Sequence, residues 1–408
     1  MAGENAFRLT VLHRMWRLFP PRQRRRLVTA ATALLAPRVD RRPPPPRAGL
    51  AVAGELSRAS GLGENARLML LGLQHLGVPH WPIDVGALLP GASADLPAAA
   101  DANPPPGAPL VLHVNPPLLP LAMLRLRRGL GRGRRVIGYW SWELPAAPAD
   151  WRVGARFVHE VWTLTPFVAA ALETLLPGKV RVVPPPMAIA PPRPSALDRA
   201  AFGLPEDAVV VLVSFNLASS CERKNPLGAI AAFRAAFGDR ADRLLLLKIG
   251  NPSHFPEDFA RIAAAAAAPN IRLETRVLPA ADLHALTACC DIVLSLHRSE
   301  GFGLVPAEAM LLGKPVIATG WSGNMAFMDA TSAALVGYRL VPAEDPRQVY
   351  AGAPWAEPDQ ADAVAHLRRL ADDPAARAAL GARGREAAFA RLGVAPLAAA
   401  LRDLGLPA

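Results

Sequence analysis

The sequence is poor in cysteine and contains no long apolar run, and each shortage excludes a class of protein. Its 408 residues include three cysteines, too few for a disulfide framework, which indicates a reducing compartment. Prolines interrupt the most hydrophobic stretch, near Leu110, so we expect no transmembrane span. The apolar residues 27–36 start too late, and lack a convincing cleavage site, for a secretory signal. We therefore expect a cytoplasmic protein.

The sequence also lacks the motifs that would bring a metal or a reactive nucleophile. It has no D-x-D pair, no cysteine and histidine cluster with zinc spacing and no G-x-S-x-G elbow. Gly313 and Lys314 are followed by Pro315 rather than serine or threonine, which excludes a phosphate loop of the NTPase type. We therefore predict no metal site and no bound cofactor.

The length and the alternation of strands and helices predict two α/β domains. We expect a basic N-terminal arm and proline linker over residues 1–46 and a first Rossmann-like domain over residues 47–195. A second Rossmann-like domain would cover residues 196–385, after the proline-rich segment 184–195. Residues 386–408 would form a C-terminal helix, and we expect the helical C-terminus to begin at Trp355–Pro358.

The net charge of +11 is concentrated in the arm. Residues 1–47 hold eleven arginines against Glu4 and Asp40, or +9. Because Trp16, Leu18 and Phe19 lie among these arginines, residues 8–42 could lie on an anionic membrane surface. The alternative is a poorly ordered, arginine-rich tail. Nucleic-acid binding is disfavoured, since no recognised motif accompanies the charge.

One stretch, residues 289–329, has the pattern of a strand, a loop, a helix and a second strand. Asp291–Leu296 and Pro315–Thr319 are short apolar runs separated by a helix, which predicts parallel pairing. Glu300, with small residues after it, forms the predicted turn. Pro306 would occupy the first helical position, where the lack of an N–H is tolerated. This is one βαβ unit.

The predicted unit has the chemistry of an anion and hydroxyl site. The amides of Gly303, Leu304 and Val305 would lie at a helix N-terminus, which favours a phosphate. Glu300 before the turn and Glu308 in the first helical turn could both bind hydroxyl groups at the carboxyl ends of the strands. A nucleotide sugar offers hydroxyls on both sides of a diphosphate. The alternative is that Glu308 merely favours the helix start and that Glu300 is a solvated loop residue.

The segment SEGFGLVPAEAMLLGKPVIAT resembles the E-x7-E signature of family 4 glycosyltransferases, retaining enzymes with the two-domain GT-B fold. The resemblance implies that Glu300 contacts the donor sugar and Glu308 the ribose. It implies that the diphosphate lies on the amides of the loop, and that the base lies at the end of a predicted strand Ile271–Val277. The donor-binding residues implied in these segments are Gly301, Phe302, Gly303, Leu304, Val305, Val277 and Leu278.

The loop NLASSCERKNP follows a buried strand predicted at residues 207–215 and presents two cations to the cleft. Arg223 and Lys224 could neutralise a departing diphosphate without a metal. In the family an arginine usually stands a few residues before this lysine. Ala218 occupies that position here, so Arg223 would substitute for it.

The first domain contributes a glycine loop and a strand end. Gly61 and Gly63 partly match a dinucleotide fingerprint, but residues 54–60 separate them from the strand, so we expect a loop that reaches across the cleft. The family commonly places a histidine near the reacting carbon. His113 and Asn115, which follow the strand starting at Leu110, both fit that position, and the sequence leaves the choice open.

The segment WSWEL follows another predicted strand and could contact the acceptor. The indole of Trp142 and the carboxylate of Glu143 suit a hydroxylated ring. Trp140 belongs to the same segment. The alternative is an aromatic cluster that packs the cleft wall.

These observations predict a two-domain α/β protein. The resemblance implies the GT-B fold, in which the last helix, here residues 386–408, crosses back to the first domain. It also implies transfer of a hexose, with mannose preferred, from a nucleotide diphosphate sugar. The acceptor would be a saccharide or a lipid-linked molecule, and the protein could lie at the inner face of the membrane. Two alternatives remain open. One is a nucleotide-sugar-binding or membrane-scaffold protein without catalysis, and the other is an NAD-dependent oxidoreductase that uses Gly61 and Gly63.

Overall fold

The structure is a computed structural model that describes residues 21–89, 102–127, 129–350 and 352–407. Its first domain is built on a parallel sheet of six strands: β1 Leu50–Gly54, β2 His80–Asp84, β3 Leu110–Leu112, β4 Val136–Trp140, β5 Glu160–Thr163 and β6 Val180–Val182. Their spatial order is β2-β1-β3-β4-β5-β6.

The second domain is built on another parallel sheet of six strands: β7 Val209–Asn216, β8 Arg243–Gly250, β9 Ile271–Glu274, β10 Ile292–Ser295, β11 Val316–Thr319 and β12 Ala334–Val336. Their order is β12-β11-β10-β7-β8-β9. The parallel pairing of β10 with β11 confirms the predicted βαβ unit, with Val293 opposite Val316.

The central strands are continuous apolar runs because helices cover both faces of each sheet. In β8 every residue except the last is buried, and all five residues of β1 and of β4 are buried. The edge strand β6 is only half-buried. The chain order of each sheet reverses once, between β1 and β3 in the first and between β7 and β10 in the second. Ligands of open α/β sheets bind beside such points.

The helices connect these strands. Their bounds are α1 Pro21–Leu35, α2 Gly61–His75, α3 Leu119–Arg125, α4 Pro166–Glu173, α5 Cys221–Lys224, α6 Pro226–Phe237, α7 Pro256–Ala265, α8 Ala280–Cys289, α9 Leu304–Leu311, α10 Gln360–Asp372, α11 Pro374–Arg391 and α12 Ala395–Asp403. Side-chain caps explain several starts, since Ser60, Thr165, Asp359 and Asp373 each accept a hydrogen bond from an amide of the first helical turn.

A two-stranded antiparallel sheet, β13 Tyr338–Pro342 and β14 Pro354–Pro358, was not predicted. The expectation that Trp355–Pro358 begins a helical C-terminus is therefore wrong. Pairing with β13 decides the conformation: Trp355 lies opposite Val341 and its side chain is buried. Tertiary pairing of this kind outweighs the local pattern, which is short and contains two prolines.

The last helix contacts the first domain. Arg181 of β6 forms an ion pair with Asp403 of α12, and the amide of Ala188 donates to the carbonyl of Leu392 (3.0 Å). A Cβ on Gly72 of α2 would lie 2.7 Å from Leu397 Cδ2, so the two helices are in close contact. The domain boundaries that the sequence predicts remain predictions.

Part of the basic arm forms helix α1 on the first domain. Its Ala33 and the following Ala36 are buried in the core, and Thr29 Oγ1 donates to the carbonyl of Pro117 (2.9 Å). The expectation of a poorly ordered tail is therefore wrong for residues 21–35. Trp16, Leu18 and Phe19 lie outside the described residues. Among the helices that the structure describes, none combines the length and the apolar character needed to span a membrane.

Candidate functional site

The loop after β10 carries Glu300, whose side chain is buried and joined to two cations. Arg223 Nη1 donates to Glu300 Oε2 (3.0 Å), and Lys224 Nζ donates to Glu300 Oε1. Arg223 also donates to the carbonyls of Ser299 and Ser219, both at 2.8 Å. The two loops that meet here leave β7 and β10, on either side of the point where the second sheet reverses its order.

The backbone around α5 is what presents both cations to one carboxylate. Ser220, before the helix, has φ 72°, and Asn225, after it, has φ 53°. The side chain of Asn225 donates to the carbonyl of Leu296 (2.9 Å) and caps α6 by accepting from Gly228 (3.2 Å). Asparagine tolerates the left-handed region better than most residues, so this position ties the loop after β7 to the end of β10.

Electrostatics keep Glu300 ionised. Burial alone would raise the pKa of this carboxyl, but Lys224 and Arg223 outweigh burial and lower the pKa to about 2. The neighbouring His297 is fully buried, and burial lowers its pKa. Its Nε2 is 3.0 Å from Asn324 Oδ1, so a neutral imidazole stabilises this part of the loop through a hydrogen bond.

The start of α9 carries the amides that the sequence analysis predicts to bind an anion, and the position of the helix needs two corrections. Gly303 has φ 99° and precedes the first helical residue, Leu304, so the next two amides have no partner within the helix. Pro306 was expected at the first helical position but occupies the third. Glu308 was expected in the first turn but is the fifth residue. The helix therefore begins two residues earlier than predicted, because the left-handed glycine turns the chain into it.

Glu308 is half-buried and faces the first domain. Burial, with a smaller contribution from Glu64 of α2, raises the pKa of this carboxyl to about 8. Glu64 is itself paired with Arg67 (2.7 Å). An acid held partly neutral next to helix amides can donate or accept a hydrogen bond, which suits a hydroxylated ligand.

The two domains are in contact around the Glu300 loop. Thr165 Oγ1 donates to the carbonyl of Gly301 (3.0 Å), and Ser299 Oγ donates to the carbonyl of Glu143. A Cβ on Gly301 would lie 2.7 Å from the carbonyl oxygen of Trp142, so only glycine allows this approach. In the described structure the two domains therefore touch at this point, with the Glu300 loop against the WSWEL segment.

Tyr350 belongs to this contact and was missed by the sequence analysis. Its Oη donates to Glu143 Oε2 (3.3 Å), and the Arg223 guanidinium lies over its ring, 5.6 Å from the centroid. The carboxylate of Asp345 fixes the turn by accepting from the amides of Val349 (2.7 Å) and Tyr350 (3.1 Å). An aspartate with proline after it is a turn signal, and it was the available clue.

His113 and Asn115 follow β3 on the first-domain side. The His113 ring is fully buried and stacks on Tyr139 with centroids 4.2 Å apart, and neither ring nitrogen has a hydrogen-bond partner among the described residues. Burial lowers the pKa of His113 to about 3, so the imidazole is neutral. Asn115 Oδ1 accepts from the amide of Ser141 (2.9 Å). The choice between the two as a reaction-centre residue stays open.

The aromatic residues of the WSWEL segment pack into the first domain. Trp140 is fully buried, and Trp142 is buried edge-on against Trp151, with centroids 5.0 Å apart. Trp142 Nε1 donates to the carbonyl of Ala146 (2.9 Å). The carboxylate of Glu143 remains the polar group of the segment that faces the cations of the second domain.

The glycine loop contacts α9, whereas the predicted base site follows β9. Gly61 faces α9, since a Cβ on it would lie 3.9 Å from Leu304 Cδ1, while the amide of Gly63 donates to the Ser60 cap (3.0 Å). The strand predicted at residues 271–277 ends at Glu274. Val277 is 96% exposed and is not part of the hydrophobic core. Leu278 is partly buried and packs against that core.

One group of metal-ligand type occurs in the described part of the chain. It comprises Cys221 and Glu222 of α5 and Asp258 of α7. Arg261 pairs with both carboxylates, at 2.9 Å and 3.4 Å. An ion would therefore compete with a guanidinium. A cavity of about 550 Å³ lies beside this group, lined by residues that include Arg298, Arg339 and Trp355.

Comparison with known proteins shows what the domain that holds this site is similar to. Residues 209–353 match the family model described as Glycosyl transferases group 1. D-inositol 3-phosphate glycosyltransferase of Kineococcus radiotolerans is 31% identical over 218 residues, which cover 51% of this chain and 47% of that protein. The chain spans about half the length of the first curated relatives it matches.

Solved structures resemble the whole two-domain architecture. Sucrose-phosphate synthase from Thermosynechococcus elongatus superposes with a TM-score of 0.60 at 18% identity, covering 88% of this chain and 98% of that one. HepE of Anabaena, in complex with UDP and glucose, gives a TM-score of 0.56 at 13% identity over 88% and 99% of the chains. The predicted GT-B fold is confirmed. The part of the second domain that contains the E-x7-E segment is similar to the glycosyl transferases of group 1.

Proposed function

We propose that the protein transfers a hexose from a nucleoside diphosphate sugar to a hydroxyl of a saccharide or lipid-linked acceptor. The observation that carries this proposal is the meeting of Arg223 and Lys224 at the buried carboxylate of Glu300. Two cations beside the free amides of α9 suit a diphosphate, and a fixed carboxylate suits sugar hydroxyls. The group 1 match of residues 209–353 supports the same chemistry.

In the proposed transfer, the bond between the anomeric carbon and the diphosphate oxygen breaks, and its electron pair leaves with the nucleoside diphosphate. The acceptor oxygen forms the new bond to that carbon, and the acceptor proton passes to a phosphate oxygen of the leaving group. Arg223, Lys224 and the amides of Gly303, Leu304 and Val305 would stabilise the charge that develops there. We propose that no metal is needed and that the configuration is retained, because the acceptor attacks from the face that the diphosphate leaves.

The remaining predicted residues take their roles from this arrangement. Glu308, half-buried and free of an ion pair in the described structure, would bind the ribose. Backbone groups at Val277 and Leu278 would bind the base. His113, with two unpartnered ring nitrogens, or Asn115 would lie near the reacting carbon.

The acceptor would approach Glu143, whose carboxylate faces the two cations. For the sugar we propose mannose carried on GDP. The HepE structure in complex with UDP and glucose makes a uridine nucleotide the principal competing donor.

Thermal stabilisation by nucleotides tests the proposal, since a ligand that binds the native state raises Tm by mass action. The purified chain is heated with UDP, GDP, ADP or NAD, and then assayed for transfer from the matching labelled sugar nucleotides, with and without a chelator. A shift with one nucleoside diphosphate and chelator-resistant transfer support the proposal, and NMR of the product determines the anomeric configuration. A shift with NAD alone would overturn it, and binding without transfer would favour the non-catalytic alternative.

A further inference from the structure

Helix α1 has two apolar faces, and only one of them is covered. Thr29, Ala33 and Ala36 lie on the face that packs against the first domain. The opposite face is a stripe of exposed residues at helical spacing. Its large members and their exposed fractions are Leu27 48%, Val28 40%, Leu34 82% and Leu35 76%.

This stripe is unusual because its residues are contiguous on one helix. Single exposed leucines are common on protein surfaces, whereas a continuous apolar stripe marks an interaction site. Positions 27, 28, 31, 34 and 35 project within about a third of the helix circumference at roughly 100° per residue. We call this set the α1 stripe.

A basic groove begins where the α1 stripe ends. It measures about 430 Å³ and is lined by four cations, Arg38, Arg41, Arg156 and Lys179. None of these cations has an ion-pair partner among the described residues. The groove also contains Asp40, whose carboxylate accepts from the amide of Gly133 (3.0 Å), so its side chains sum to a net positive charge. Because Arg38 is three residues after Leu35, the groove lies within about 11 Å of the exposed leucines along the chain.

We propose that the α1 stripe and the basic groove together dock the protein on an anionic phospholipid surface. The leucines would enter the boundary between headgroups and acyl chains, while the four cations contact lipid phosphates. Charge complementarity selects this partner, because residues 1–47 hold +9 of the net charge of +11. Docking would keep the cleft next to lipid-linked molecules, but it does not depend on the proposed glycosyl transfer.

Vesicle co-sedimentation of the full-length chain tests this inference. The vesicles contain phosphatidylcholine alone or phosphatidylcholine mixed with phosphatidylglycerol. The variants are Leu34→Glu with Leu35→Glu, and Arg38→Glu with Arg41→Glu. The matched controls are Leu71→Glu with Leu197→Glu, which change exposed leucines elsewhere, and Arg234→Glu with Arg369→Glu in the second domain.

We expect the wild type to bind the anionic vesicles, less so at high salt, and each α1 or groove variant to lose roughly tenfold in partition coefficient. The controls should bind like the wild type. The groove pair consists of exposed side chains, so it tests the inference even if the leucine pair impairs folding. Nucleotide-induced Tm shifts, measured on the same variants, should be unchanged, which separates docking from the proposed transfer.

Three results would overturn the inference. The first is equal binding to neutral and anionic vesicles, or no binding to either. The second is wild-type binding by both variants. The third is a dimer in solution that the leucine pair converts to a monomer, since a second copy of the chain would then cover the α1 stripe.

Discussion

The phenol of Tyr350 donates a hydrogen bond to the carboxylate of Glu143, 3.3 Å away, and this contact links the two domains at the candidate site. Glu143 follows β4 of the first domain, whereas Tyr350 follows β13 of the second. The same tyrosine ring lies beneath Arg223. Domain closure and the position of a cation that binds Glu300 are therefore connected through one side chain.

Two substitutions of Tyr350 should distinguish the contribution of its hydroxyl from that of its ring. Tyr350→Phe keeps the surface on which Arg223 packs but loses the hydrogen bond, so we expect kcat to fall roughly fivefold, in proportion to one hydrogen bond of about 1 kcal/mol. Nucleoside diphosphate binding should be nearly unchanged. Tyr350→Leu, which also removes the ring, should be worse in both respects, and Tyr338→Phe is the exposed control. Wild-type kcat in Tyr350→Phe would show that the hydroxyl has no role, and equal defects in the Phe and Leu variants would show that the ring has none.

Glu300→Gln should cost stability as well as activity. The carboxylate neutralises two cations in a buried position. Removing one partner of a buried ionic network typically costs about 3–5 kcal/mol in the free energy of unfolding. Chemical denaturation measures this loss, and Glu357→Gln, which removes a more exposed partner of Arg298, is the control.

A nucleoside diphosphate should partly restore the stability of Glu300→Gln, because its phosphates supply the missing negative charge. The Tm increase caused by the nucleotide should therefore be larger in the variant than in the wild type. An unchanged free energy of unfolding in Glu300→Gln would contradict the inferred network.

Lowering the pH should remove the stability that ionised Glu300 contributes to the wild type. The pKa of Glu300 is lowered to about 2 from an ordinary value of 4.5, so the folded state binds fewer protons than the unfolded state between these values. The stabilising contribution is complete above pH 4.5 and disappears as the pH falls towards 2. We expect the difference in unfolding free energy between wild type and Glu300→Gln to shrink over that interval. A difference that does not change with pH would contradict the lowered pKa.

Much of this site was predictable because each of its two loops has a local signal, although Arg223 and Glu300 are 77 positions apart. The E-x7-E segment fixes one βαβ unit, and the loop with Arg223 and Lys224 follows an obvious buried strand. Parallel sheets with one reversal of strand order then bring both loops together. No long-range information was required beyond the fold class.

The errors arise where distant contacts decide the conformation. Trp355 is in a strand because β13 pairs with it, and Tyr350 reaches Glu143 across 207 positions of sequence. Glu308 shifted within its helix because Gly303 takes a left-handed conformation that no local pattern specified. The raised pKa of Glu308 likewise depends on Glu64 of the other domain.

Glu308→Gln should change how stability depends on pH. Because the pKa of Glu308 is raised to about 8, the folded state holds a proton that the unfolded state releases near 4.5. Wild-type stability from this group is therefore complete below pH 4.5 and is lost as the pH rises to about 8. The glutamine variant should show a flatter fall in Tm over that range. The control Glu386→Gln, at an exposed position, should show the same fall in Tm with pH as the wild type. If Glu308→Gln also showed the wild-type fall, the raised pKa of Glu308 would be wrong.

Gly301→Ala should obstruct domain closure without unfolding the second domain. The added Cβ would lie 2.7 Å from the carbonyl oxygen of Trp142, a distance that requires the first domain to move away. The same shift would lengthen the hydrogen bond from Thr165 to the carbonyl of residue 301 and move Glu143 away from the cations. We expect transfer to fall by about tenfold or more, as for other small misplacements of reacting groups.

The control for Gly301→Ala is Gly393→Ala, whose nearest new contact is 4.0 Å away. Nucleoside diphosphate binding should persist in both variants, since Arg223, Lys224 and the other residues proposed to bind the donor are unchanged. Small-angle X-ray scattering with the nucleotide bound should show a larger radius of gyration for Gly301→Ala than for Gly393→Ala. If Gly301→Ala retained full transfer activity and the wild-type radius, the close approach of residues 301 and 142 would not be needed for the reaction. The sugar would then be bound in a more open arrangement of the domains.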